Sequence, residues 1–201
     1  MSKKKNPEAA DAEAVEQAGV RDVQVLRAFA HPIRVRLYYE LGLAGTATAT
    51  HLSQKTSTTI ALVSYHLRQL ADHGFIEPAT GHSADGRERW WRLSERRLGW
   101  YDSEFRNTPG GAEIASAVKH SMLREQFRQV ERYLEEERTW NSEWVDAAFL
   151  SDGALDLTPE ELDSLHHDLA EVVQRYRLKA AAESAADRER VVIMLHGFPR
   201  R

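Results

Sequence analysis

Apolar residues recur in short, interrupted runs through the first half of the chain, and their spacing predicts a succession of small elements. The first 20 residues are polar, rich in Ala, Glu and Lys, and lack an apolar period, so they are expected to form a disordered arm that cannot offset its ordering entropy. From Asp22 onward, Val23, Val25, Leu26 and Phe29 predict a short helix. His31-Pro32 interrupts it, because a proline disfavours helix at the preceding residue, and the proline then opens a second helix with Ile33, Leu37 and Leu41 at spacings of four. That helix is expected to end near Gly42, with Gly45 in the loop beyond it. A third short helix over 49–55 turns Leu52 inward.

Thr56-Ser57-Thr58-Thr59 supplies a turn and an N-cap, since hydroxyl side chains accept from the free amides of a new helix's first turn. The fourth helix then runs to His73 and stops at Gly74. On a wheel of 3.6 residues per turn, Ile60, Val63, Leu67, Leu70 and Ala71 share one face, while Ala61, Leu62, Tyr65, Arg68 and Gln69 point away from it. Phe75-Ile76-Glu77 reads as a strand, Gly81 to Gly86 as a turn and Arg89 to Leu93 as the returning strand, which makes a β-hairpin directly behind a helix-turn-helix.

Residues 99–111 contain the breaker cluster Asn107-Thr108-Pro109-Gly110-Gly111 and are expected to link two regions. Beyond them Ile114, Val118, Leu123, Phe127, Val130 and Leu134 suggest one broad stripe on a long helix, and Trp140, Trp144 and Phe149 form an aromatic cluster that reads either as core or as a ligand pocket. Thr158-Pro159-Glu160-Glu161 is a capping box. The helix it starts carries Leu162, Leu165, Leu169, Val172 and Tyr176 at alternating spacings of three and four, a seam that packs on another helix. Val191 to Leu195 is expected as a strand, paired with 154–157. The fold class is therefore mainly α with a small β-hairpin wing: a disordered arm (1–20), a winged helix-turn-helix domain (21–98), a linker (99–111) and a helical C-terminal region (112–201) for dimerisation or effector binding.

Composition narrows the chemistry. The chain has no cysteine, which removes disulfides, thiolate metal sites and cysteine nucleophiles. No apolar run reaches the length of a membrane span, and Lys3-Lys4-Lys5 leads into Glu8 to Gln17 rather than the apolar core of a signal peptide, so a cytoplasmic protein is expected. The net charge of −4 is unevenly spread: residues 1–100 hold 14 Lys and Arg against 11 Asp and Glu, and residues 101–201 hold 13 against 20. A mildly basic front and an acidic back suit a phosphate-facing module with a different partner region.

Leu26-Arg27-Ala28-Phe29-Ala30-His31-Pro32-Ile33-Arg34, Val63-Ser64-Tyr65-His66-Leu67-Arg68-Gln69-Leu70, Gly74-Phe75-Ile76 and Gly86-Arg87 leading to Trp90-Trp91-Arg92-Leu93 follow one another in an order that resembles the ArsR-like (arsenic-repressor type) family of winged helix-turn-helix regulators, over about residues 22–94. The resemblance implies a sequence-specific DNA-binding homodimer of bacterial type, usually a repressor on an inverted-repeat operator, with the fourth helix in the major groove. Many family members sense metals through cysteines; this chain has none, so that property does not carry over.

The residues themselves favour the same reading. Thr59, Ser64, Tyr65, Arg68 and Gln69 offer groups that hydrogen-bond bases and phosphates, Ala61 and Leu62 either touch thymine methyls or are merely tolerated, and Arg87 and Arg89 on the wing suit backbone phosphates or an adjacent minor groove, with Glu88 between them reducing the local field. The double-stranded DNA partner has two competitors. The reading face is partly apolar, so the domain could instead serve as a protein-interaction adaptor. The tail Val192 to Pro199 resembles the strand and oxyanion-hole turn of α/β-hydrolases, but only Arg200 and Arg201 follow it and no G-x-S-x-G occurs, so no enzyme is expected. His66 reads as a packed, hydrogen-bonded histidine. His166 and His167, with Asp163 one turn earlier, could chelate zinc from a helix surface, but a site needs at least a third converging ligand and none is evident nearby, so neither a metal nor another cofactor is expected.

Overall fold

The computed structural model describes residues 20, 22–80, 88–96, 98–182 and 187–200. The chain divides into two compact units, 1–132 and 133–201. The arm expected over 1–20 lies outside the described residues except for Val20, which is fully buried and donates its N–H to the Gly99 carbonyl at 2.7 Å.

Helix α1 (Val23–Leu26) is capped by Asp22, whose carboxylate accepts from the Gln24 N–H at 2.8 Å, and it runs on as a 3-10 turn over Arg27–Phe29. Helix α2 (Pro32–Ala44) has its proline in the first turn and buries Val35, Leu37 and Leu41. Gly45, with φ 73°, turns the chain into strand β1 (Thr46–Thr48). Thr48 then caps α3 (Ala49–Thr56) through the His51 N–H, and Ser57 ends that helix at φ 51° in the left-handed region. Thr59 caps α4 (Ile60–Asp72) through the Leu62 N–H. Gly74, at φ 75°, closes α4: its N–H donates to the Ala71 carbonyl at 2.8 Å and the Phe75 N–H to the Leu70 carbonyl at 3.0 Å, a pattern that favours glycine at the left-handed position.

Strands β2 (Ile76–Pro78) and β3 (Trp90–Leu93) form the expected hairpin, and β1 joins it as a third antiparallel strand in the order β1-β3-β2. The register sets Thr46 opposite Arg92, Ala47 opposite Trp91 and Thr48 opposite Trp90. A three-residue strand has no readable alternation, and its ladder partners lie more than forty residues away. The core gathers between α1, α2, α4 and this sheet. Phe29 meets Phe75 edge-on at 4.6 Å and Tyr38 at 5.4 Å, while Val63, Leu67, Leu70 and Leu52 close around them.

Residues 99–111, expected as a linker, carry helix α5 (Asp102–Phe105), and Phe105 is 1% exposed in the core. Helix α6 (Gly111–Glu136) follows, and its apolar positions form two stripes instead of one. Ile114, Ala115 and Val118 face the core, whereas Leu123, Phe127 and Leu134 emerge on the opposite side, with Phe127 67% exposed. The shift arises because the spacing of five from Val118 to Leu123 turns the pattern through well over a third of a helical turn.

In the second unit, a 3-10 turn (Glu137–Thr139) precedes α7 (Ser142–Ala147), capped by Asn141, and α8 (Pro159–Ala182). The capping box forms as read: the Glu161 N–H donates to Thr158 Oγ1 at 3.2 Å and the Thr158 N–H to Glu161 Oε2 at 2.7 Å. The strand expected over 191–195 is absent, since the described residues 187–200 form no sheet pairing. No described residue from 133 onward is buried, so this apolar tail has no second layer against which a strand would be selected. No helix among the described residues is long and apolar enough to cross a membrane.

Candidate nucleic-acid interface

Helix α4 is held to the core by Val63, Leu67 and Leu70, each fully buried, and it packs against α3 across the turn 57–59. Its opposite face is open. Tyr65 is 50% exposed and Leu62 44% exposed, Ala61 and Arg68 are exposed, and Ser64 and Gln69 lie half-buried at the margins. Thr59 is exposed, and its hydroxyl accepts from Leu62 at 3.4 Å, a weak cap that leaves the oxygen accessible.

Ile60, expected on the inward face, is instead 49% exposed. Helical side chains lean toward the N-terminus, so at the first position of α4 Ile60 leans off the start of the helix. The exposed face is consequently more apolar than the sequence suggested, with Ile60, Ala61 and Leu62 at its start and Tyr65 and Arg68 beyond them.

On the hairpin, Arg89 is exposed with its guanidinium 5.3 Å from the Trp91 ring centroid. Glu88 is engaged by the Thr50 hydroxyl, which donates to Oε1 at 2.6 Å and so fastens the base of β3 to the start of α3. Arg87 lies outside the described residues. Helix α4 thus presents Ala61, Leu62, Tyr65 and Arg68 on its exposed face, with Ser64 and Gln69 at the margins and Thr59 at its N-cap, and Arg89 stands on the strand side of the same unit.

Several residues that position this surface escaped the sequence reading. Arg36 on α2 donates to the carbonyls of Lys55 at 2.8 Å and Thr56 at 3.0 Å, closing the end of α3 where the chain turns toward α4. A cation at a helix C-terminus is favourable, but its partners lie about twenty residues along the chain and leave no local signature. Glu40, 4% exposed on α2, receives Arg128 and Arg132 from α6, each at 3.3 Å, while Glu125 pairs with Arg128 and accepts from Gln129 at 2.8 Å. Gln126 donates to the Tyr39 hydroxyl at 3.1 Å, and burial pushes that phenol up to about 12. The inner face of α6 is thus apolar near its start and ionic beyond Ser121.

His66 departs from its expected role. It is 3% exposed and packed between His31, with ring centroids 4.6 Å apart, and Tyr65 at 5.1 Å, yet neither ring nitrogen has a hydrogen-bond partner among the described residues. Burial, the adjacent His31 and then Arg34 push its pKa down to about 4, so the ring is neutral.

In the second unit, Trp140 and Trp144 meet with ring centroids 6.3 Å apart, but Phe149 is 72% exposed and does not join them. His167 is occupied within its own turn by the Asp163 carbonyl at 2.8 Å. Among the described residues no group of three His, Asp or Glu is placed to hold a metal ion.

No protein-family model matches the chain, and no curated protein does. Among solved structures it is similar to MarR from E. coli. A cysteine-to-serine mutant of that protein shares 15% identity over 85% of this chain and 98% of the other, with a TM-score of 0.32. The wild-type apo form shares 16% over 84% and 98%, with a TM-score of 0.30, and the mutant complexed with operator DNA 18% over 83% and 93%, with a TM-score of 0.29. The fold described above, mostly helical with a small three-stranded antiparallel sheet, rests on the chain's own elements.

Proposed function

We propose that the protein is a DNA-binding transcriptional regulator that reads a duplex with the exposed face of α4 and anchors backbone phosphates with the hairpin. The observation that carries this reading is the division of α4 into a fully buried face of Val63, Leu67 and Leu70 and an open face presenting Tyr65, Arg68, Ser64 and Gln69, on the second helix of a helix-turn-helix followed by a hairpin with Arg89. A helix held in this way can enter a groove without unfolding its own support, and its side chains match the donors and acceptors of base edges. The likeness of residues 26–34, 63–70 and 74–76 to the ArsR-like pattern is consistent with it. In the finer form of the proposal, the protein is a homodimeric repressor acting on an inverted repeat.

Selection of duplexes from a random pool by the purified full chain tests the reading. Enrichment of an inverted repeat with half-sites about 10–10.5 bp apart, or a multiple of that spacing, is the expected result, and recovery of unselected sequence contradicts it.

One observation favours a second reading. Ile60, Leu62 and Tyr65, all about half exposed, make an apolar strip on the same face that would suit a protein groove. In that adaptor role, association with DNA would be absent and binding to a protein partner would be insensitive to salt, which separates it from phosphate-dependent binding.

A further inference from the structure

Where the start of α2 meets the flank of α4, four side chains that donate hydrogen bonds gather in one cluster. His66, 3% exposed, has no hydrogen-bond partner for either ring nitrogen among the described residues. Its ring lies 4.6 Å from that of His31, the exposed N-cap residue of α2, whose side chain makes no capping hydrogen bond. Arg34, in the first turn of α2, is half-buried. One of its terminal nitrogens donates to the Arg27 carbonyl at 3.3 Å, while its Nε is buried and has no partner among the described residues. Tyr65 completes the cluster, with its ring 5.1 Å from that of His66 and its phenol close enough to act on the Arg34 charge.

The sign of the cluster decides what it can hold. Burial, then His31, then Arg34 lower the His66 pKa, and burial lowers that of Arg34 against a smaller opposing effect of Tyr65, so no carboxylate belongs to the cluster. A metal cation would stand beside a guanidinium with only two imidazoles to hold it, and among the described residues no three His, Asp or Glu converge here. An anion is favoured by every member. The positive end of the 13-residue α2 adds to the field, although Pro32 supplies no N–H at its first position. A guanidinium matches the oxygens of a phosphate, and an imidazole has one N–H to donate when neutral and two when protonated. His31 is exposed, so its ring turns on the ps–ns timescale of surface side chains and can admit an oxygen to the ring beneath it.

We propose that His31, Arg34, Tyr65 and His66 form an anion site that takes a phosphate group, with Arg34 as its fixed charge and the His66 ring as its buried donor. Two sources offer this chemistry: a free phosphate or phosphorylated small molecule, and a backbone phosphate of a duplex lying on α4. The site adds to Arg68 and Arg89, and only its duplex source rests on the DNA-binding reading above.

NMR of the imidazole resonances of the full chain tests the site, with inorganic phosphate added at constant ionic strength against chloride. In wild type the His66 signals should shift saturably. The His66 titration should also move up from about 4 by about one unit, the linkage counterpart of a tenfold preference of the anion for the imidazolium. Arg34→Gln, which stays polar but loses the guanidinium, should weaken phosphate binding about tenfold. Melts in chloride establish that the variant is folded. A second arm separates the sources, using the selected duplex with a neutral methylphosphonate at single linkages. If a backbone phosphate occupies the site, one neutral linkage in each half-site should weaken wild type as much as Arg34→Gln does and leave Arg34→Gln unaffected. If the ligand is a free phosphate, no linkage distinguishes the two proteins, and phosphate and duplex bind together. An equal His66 response in wild type and Arg34→Gln, or none, combined with no linkage that distinguishes them, would overturn the site. Absence of duplex binding would contradict the DNA-binding reading alone, because the phosphate arm then decides the site.

Discussion

At the scale of single residues, His66 is the most costly side chain of α4. A buried imidazole with no hydrogen-bond partner has lost solvation without replacement, and an unsatisfied buried polar group costs on the order of 1–3 kcal/mol. Its pKa of about 4 lies below the usual value near 6.5, so the folded protein binds fewer protons than the unfolded chain between those limits. Stability from this site is therefore complete above about pH 6.5 and declines as pH falls toward 4, by at most about 1.4 kcal/mol per pH unit. The groups facing it, His31, Arg34 and Tyr65, include no acid that would hold an imidazolium. Thermal melts from pH 4 to 8 should show a steeper acid loss for wild type than for His66→Phe; parallel curves would mean that the buried ring does not titrate with folding. Gly111 sets a second residue-level constraint. A Cβ there would stand 2.7 Å from the Phe105 carbonyl oxygen, which is backbone and cannot swing away. Gly111→Ala should destabilise by about 1–3 kcal/mol in denaturant titration, the usual range for overpacking, and an unchanged midpoint would show that the α5–α6 corner relaxes freely.

At the scale of elements, α4 separates a fully buried supporting face from an exposed one. Leu67→Ala should cost about 2–5 kcal/mol of stability, because it empties a fully buried site, and should reduce DNA binding only through unfolding. Arg36→Ala should act differently from both core and surface variants: it frees the Lys55 and Thr56 carbonyls and loosens the turn into α4, so DNA affinity should fall more than the melt does. Equal losses in both measurements would make Arg36 a plain stability residue. Helices α2, α3 and α4 were legible in the sequence because a proline or a hydroxyl residue starts each one and an apolar period follows, but α2 runs past the expected end at Gly42 to Ala44, and Ile60 leaves the expected buried face of α4. Strand β1 was not legible, since its three residues acquire meaning only from Trp90 to Arg92 opposite them. Helix α6 misled for a related reason. Apolar residues spaced at five and four were read as one face, whereas the second half of the helix packs inward through Ser121, Glu125 and Gln129. Polar residues buried by long-range partners such as Glu40 give no apolar signal.

At the scale of the whole molecule, the two units differ in kind. The first contains every buried described residue, including the α2–α6 ionic clamp; the second is a set of capped helices and an apolar tail without a buried interior. The candidate reading residues were legible because they stand outward on a strongly periodic helix. The Trp140, Trp144 and Phe149 cluster was less so, since proximity in sequence did not bring Phe149 to the other two rings. In the function proposed above, the candidate reading residues of α4 and the hairpin all belong to the first unit. The most direct test is a set of binding isotherms for the full chain on its selected duplex at several salt concentrations, comparing wild type with Tyr65→Ala and Arg68→Ala. Arg68→Ala should melt as wild type does, and Tyr65→Ala should lose only the contribution of its edge-on contact with His66. Arg68→Ala should lose affinity by on the order of 1–3 kcal/mol with relaxed preference at one position in each half-site, if it reads a base. Both variants binding with wild-type affinity and preference would contradict the assignment of α4 as the reading helix.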